Sequence, residues 1–143
     1  MKLLTAPLWL KVTVGVSAIL TFAVNYVFDI TITHAEQFLS VICVSLLDGT
    51  FGIIAGVKRE GFKTYKALGF LRSTFVWLLI LFGVLSIEYS FNGTNWLSET
   101  LIVPFLVIQL ASALKNASMA GYIKSEVVNA ILDKIDSHKG IRK

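Results

Sequence analysis

Apolar positions along the chain gather into four long blocks, unlike the one-sided stripes and alternations of soluble helices and strands. The first block runs from Leu8 to Phe28, with Lys11 near its start and Asn25 near its end. The second, Ala35 to Val57, contains Asp48, and the third, Leu68 to Tyr89, opens with Arg72. The fourth is weaker, running from Leu97 to Leu114 and continuing in small residues to Tyr122. About 20 residues cross the hydrocarbon core of a bilayer, so each block predicts a transmembrane helix. No persuasive small-residue cleavage site follows the first block, which reads as a retained helix and not as a signal peptide.

Beyond the fourth block the period changes. Val127, Val128, Ile131, Leu132 and Ile135 form an apolar stripe at helical spacing, with Glu126, Asp133, Lys134 and Asp136 on the other face. This predicts an amphipathic helix from Ser125 to about Ser137 that either lies on the membrane or its own protein, or meets neighbouring subunits or a regulator. Lys139 to Lys143 form a basic tail suited to anionic lipid. The expected architecture is all-α: a four-helix transmembrane domain over 1–122 (spans 8–28, 35–57, 68–89 and 97–122), then an amphipathic cytoplasmic helix and tail over 123–143. The loops are short and there is no internal repeat.

Charge fixes the expected topology. All 13 Lys and Arg residues fall on one side of a four-span arrangement: Lys2 and Lys11, then Lys58, Arg59, Lys63, Lys66 and Arg72, then Lys115, Lys124, Lys134, Lys139, Arg142 and Lys143. The other two loops have no Lys or Arg and carry Asp29 and Glu36 in one case and Glu88 and Glu99 in the other. Cytoplasmic flanks retain Lys and Arg, so both termini are expected in the cytoplasm. Three spans would leave the C-terminal basic residues outside, which is why the weak fourth block counts as a span.

Composition agrees. Hydrophobic residues make up 55% of the 143 and charged residues 15%, with a mean hydropathy of +0.74. A soluble domain of this size needs more polar surface than those charges can cover. The net charge of +4 does not imply nucleic acid, because the basic residues are distributed as topology determinants. The lone Cys43 offers neither a disulfide nor a thiolate cluster and reads as a small buried hydrophobe.

Candidate chemistry is sparse. Asp48 is the most informative position, since an acid within a span costs about 2.5–3.5 kcal/mol to insert unless it faces protein or water. Either it is a structural group, with Arg72 or Gln109 as its candidate partners, or it lines an aqueous path or a subunit contact. Beside it, Ser45, Gly49, Gly52 and Gly56 share one helix face, a small-residue file that permits close helix approach within or between subunits. Ala113, Ala117 and Gly121 make a second such file. In the fourth span Ser98 is a candidate N-cap with Glu99 in the first turn, and Pro104 is expected to loosen or kink the helix. Trp9 and Trp96 suit a membrane interface, whereas Trp77 reads as a packing residue, and Asn92-Gly-Thr94 reads as a turn. His34 and His138 fall on opposite sides of the membrane in this topology. With no Ser/His/Asp constellation, Walker loop or HExxH motif, neither enzyme, metal nor cofactor is expected.

Between about Leu46 and Asp136 the chain resembles the phage holins of the toxin-secretion and lysis type. The matching features are Asp48-x-x-x-Gly52 late in a span, a short basic loop with Gly61-Phe-Lys63, a span opened by Arg72, the turn Phe91-Asn-Gly-Thr94, and Pro104 to Ser118 followed by Gly121 and Ile123. Family members tend to carry an acidic Asn-Glu-x-x-Ser-x-x-Glu-Asn-type run in that last passage. Here Gln109-Leu-Ala-Ser112 and Lys115-Asn116 stand in its place. The resemblance implies a non-enzymatic homo-oligomer of the bacterial inner membrane, which opens lesions to release an endolysin or toxin and is sometimes opposed by an antiholin. Two rival expectations are a non-conducting membrane anchor that docks a cytoplasmic partner through the C-terminal helix, and a small channel.

Overall fold

The computed structural model describes residues 7–61 and 64–138, which are all-helical and contain no strand. Lys2, Lys63 and the tail Lys139 to Lys143 lie outside the described residues, as do the side chains of Lys66 and His138. The helices are α1 (Leu8–Thr33), α2 (Ala35–Glu60), α3 (Thr64–Ser90), α4 (Leu97–Met119) and α5 (Ser125–His138). Four of them contain stretches long and apolar enough to cross a membrane, with mean hydropathies of 1.6, 2.0, 2.0 and 1.8 in chain order. The shortest of these stretches, at 23 residues, rises about 34 Å at 1.5 Å per residue, more than the ~30 Å hydrocarbon core. This is the build of a multi-pass membrane protein.

Two compact units make up the chain, Met1–Ala35 and Glu36–Lys143. The first holds α1, whose apolar residues are interrupted at every fourth position by Thr13, Ser17, Thr21, Asn25 and Asp29, and which runs past Phe28 to Thr33. Thr31 keeps its hydroxyl within the helix by donating to the carbonyl of Val27 at 2.7 Å, so polar residues after Phe28 do not end the helix. A single residue, His34, separates α1 from α2.

The second unit is built from α2 to α5. On α2 the buried positions Val41, Ser45, Gly49 and Ala55 recur along the helix and define one packed face. On α3 the buried positions are Leu81, Val84 and Leu85. On α4 the buried stripe is Ser98, Ile102, Phe105, Ala113 and Ala117. α3 packs on α4, and α5 packs on α4 in turn. On α5, Val128 is buried and Leu132 and Ile135 are half-covered, whereas Val127 and Ile131 of the expected stripe are exposed, as are Glu126, Asp133, Lys134 and Asp136.

The core is small for the amount of apolar side chain present. Large residues such as Ile19, Phe22, Phe75 and Ile108 are 61–71% exposed, and exposed apolar side chains far outnumber buried ones. A protein surface this apolar needs an apolar solvent or partner. Cys43 belongs to that outer surface. It is exposed and not a core residue, because it lies on the side of α2 away from Val41 and Ser45.

α4 stops at Met119, short of Tyr122, for an identifiable reason. Gly121 adopts φ +85°, a left-handed conformation that L side chains resist. Its N–H donates to the carbonyl of Ser118 at 2.9 Å, and the N–H of Tyr122 donates to Ala117 at 3.0 Å. These two bonds form a Schellman cap. Gly121 therefore ends the helix and is not the third member of a packing file with Ala113 and Ala117.

Candidate functional site

Asp48 sits midway along α2 and is half-buried. Its Oδ1 accepts a hydrogen bond of 2.9 Å from Nδ2 of Asn116 on α4. The partner is thus Asn116 rather than Arg72 or Gln109. Arg72 lies on the exposed side of α3. Gln109 lines a cavity with Asp48, but its Oε1 is buried without a hydrogen-bond partner.

The spacing of polar residues along α4 carries a signal for Asn116. Gln109, Ser112 and Asn116 lie at i, i+3 and i+7, a polar stripe on one face of an otherwise apolar helix. A lone acid on a neighbouring span has its complement on such a stripe, and the glycine spacing of α2 gives it room. A Cβ on Gly52 would lie 3.3 Å from Nδ2 of Asn116. Gly52 is therefore the gap through which the amide reaches Asp48.

The rest of the small-residue file is used unequally. A Cβ on Gly49 would come within 2.6 Å of the Phe70 ring, so that glycine seats α3 against α2. Ser45 is buried, and its hydroxyl has no partner. Gly56 faces open space, with nothing within 4 Å of an added Cβ. Ala113 and Ala117 are buried within the same unit. Most of both files is thus occupied by contacts inside one chain.

The cavity has a volume of about 460 Å³ and is lined by α2, α3 and α4. Asp48, Gln109 and Ser112 provide its polar groups, and Trp77, Pro104 and Phe105 much of its apolar wall. Trp77 stacks on Phe105 with ring centroids 3.7 Å apart, the packing role its mid-span position suggested. α4 continues through Pro104. Proline has no N–H to offer the carbonyl of Thr100, so the helix ladder is one bond short beside the cavity.

Contacts from neighbouring elements fix the ends of α4. At its start, Glu88 of α3 accepts a 2.6 Å hydrogen bond from the N–H of Ser98. The residue before the helix is Trp96, which offers no side-chain cap, so Ser98 is not the N-cap. Glu88 does that work from across the turn, supplying an acceptor and a negative end to the helix N-terminus. The turn itself is closed by Gly93 at φ +90° and by Thr94, whose hydroxyl donates to Phe91 at 2.6 Å.

At the other end, Lys58 donates to the carbonyl of Ala120 and lies 5.9 Å from the centroid of the Tyr122 ring. A cation there satisfies a terminal carbonyl and suits the helix dipole. Phe51 packs against the same ring, with centroids 5.8 Å apart, and Arg59 reaches the Met119 sulfur at 3.8 Å. Among the described residues no cluster of His, Cys, Asp and Glu could hold a metal ion.

Comparison of the chain with protein-family models, with curated proteins and with solved structures found no match.

Proposed function

We propose that this protein is a holin-type permeabilising protein of the bacterial inner membrane, with both termini in the cytoplasm. The observation that carries the reading is the polar seam of Asp48, Asn116, Gln109 and Ser112, set among helices whose outer surfaces are apolar. Such groups are costly within a span and are expected where the interior must at some stage meet water. The holin-like motifs from Asp48 to Gly121 and the one-sided placement of Lys and Arg support the same reading.

In this proposal the subunits accumulate as closed units whose seam is held by the Asp48–Asn116 bond, then assemble as a homo-oligomer. Separation of α2 from α4 exposes the seam to water and opens a path for an endolysin or toxin. The apolar stripe of α5 rests against the unit and the cytoplasmic lipid surface, where basic residues meet anionic headgroups. An antiholin, where one exists, would act on assembly.

Induced expression in a bacterial host carrying a cytoplasmic endolysin tests this. The expected result is an abrupt loss of membrane potential followed by lysis that requires the endolysin. Accumulation in the membrane with potential and viability unchanged would refute it.

A further inference from the structure

The cavity beside Asp48 is unusual in what it offers a ligand. At about 460 Å³ it is far larger than one water molecule's share of liquid volume, about 30 Å³, and is within the range of small-molecule pockets. Its polar lining includes acceptors that lack a full complement of donors. The Asp48 carboxyl has two oxygens, of which Oδ1 takes the Asn116 amide. The Gln109 Oε1 is buried and takes nothing. Ser112 adds a hydroxyl that can turn either way.

No cation of the chain fills this deficit among the described residues. Lys58 is committed to the Ala120 carbonyl and the Tyr122 ring, and Arg72 and Lys115 are exposed. The remaining wall is aromatic and apolar: Trp77, Phe105 and Pro104, with Leu101 and Ile108. An aromatic face attracts a cation that has shed its water. Leu101 and Ile108 are 44% and 62% exposed, so the cavity opens sideways between apolar side chains. A ligand entering by that mouth needs an apolar body.

From these features we infer that the cavity is a binding site for an amphipathic organic amine. Its ammonium hydrogens go to Asp48 and the free Gln109 oxygen, and its apolar body lies against Trp77 and Phe105. The site goes beyond membrane permeabilisation and does not depend on it, because it requires only the folded second unit.

Dansylcadaverine, a fluorescent primary amine, and its neutral N-acetyl derivative provide the test, with the full chain in detergent micelles and fluorescence anisotropy as the readout. The acetylated probe has the same apolar body, so it reports partition into the micelle and contact with the wall alone. The expected result is saturable binding of the amine about tenfold tighter than of the amide, a preference that Asp48→Asn abolishes while leaving the amide unaffected. Should Asp48→Asn fail to fold, Gln109→Met decides the matter, since it keeps the volume and removes the free acceptor. It is expected to weaken amine binding severalfold. Equal binding of the two probes, a cavity that holds only water, or unchanged amine affinity in these variants would overturn the proposal. The assay uses purified protein, so a failure of amine binding and a failure of lysis in cells are observed separately.

Discussion

Replacing the glycines of α2 by alanine, one at a time, separates packing within a chain from packing between chains. Alanine is favoured over glycine in a helix interior by about 1 kcal/mol, so any open position should gain up to that amount. Gly56 is open, and Gly56→Ala should be neutral or stabilising. At Gly52 the new methyl would stand 3.3 Å from the Asn116 amide and push it back from Asp48. An interhelical hydrogen bond of this kind is worth about 0.6 kcal/mol in a membrane protein, which nearly cancels the helix gain. At Gly49 the methyl would stand 2.6 Å from the Phe70 ring. That ring would have to recede by about 1 Å to restore ordinary contact. Overpacking of that kind costs about 1–3 kcal/mol, more than the helix gain returns. The expected order of stability is therefore Gly56→Ala above Gly52→Ala above Gly49→Ala, with about 1–3 kcal/mol between the extremes. Reversible unfolding of the purified protein in mixed micelles, followed by circular dichroism, measures it. A Gly49→Ala protein as stable as the parent would refute the Phe70 contact. If Gly56→Ala were the most damaging of the three, the file would be packing against another chain.

Further predictions concern the contacts that hold α4. A double-mutant cycle of Asp48→Ala with Asn116→Ala should give a coupling of about 0.6–1.7 kcal/mol, and zero coupling would remove the bond from any account of stability. Glu88→Ala should cost about 1 kcal/mol and speed amide exchange at Ser98, whereas Glu88→Gln, which keeps an acceptor, should cost less. Unchanged exchange at Ser98 in Glu88→Ala would show that the carboxyl does not cap the helix. Gly121→Ala forces a methyl into the left-handed region and should destabilise by about 1 kcal/mol, with faster exchange at the Tyr122 amide. A stable Gly121→Ala protein with a protected Tyr122 amide would argue for a helix running on past Met119.

The membrane-length helices are legible in the sequence because hydropathy integrates over about 20 residues and tolerates error at any one of them. Helix ends are less so. Asp29 looks like a terminus by hydropathy, yet backbone hydrogen bonding carries α1 on to Thr33. Gly121 looks like a packing residue at four-residue spacing from Ala117, and only its positive φ shows that it ends the helix. The small-residue file on α2 marks a place of close approach, but periodicity cannot say what approaches. Phe70, Asn116 and open space occupy neighbouring positions on the same face.

The partner of Asp48 escapes the sequence for a physical reason. Sequence logic pairs an acid with the nearest base or the most central amide, which points to Arg72 and Gln109. What decides the pairing is height along the two helices and clearance between them. Asn116 has both, because Gly52 lies one turn from Asp48 and leaves the gap its side chain crosses. Once Asn116 takes that bond, Gln109 is left with a buried oxygen and no donor among the described residues. The same choice that satisfies part of Asp48 thus creates the acceptor-lined cavity. A variant that frees Asn116 from Asp48 should change the cavity's ligand preference as well as the fold's stability.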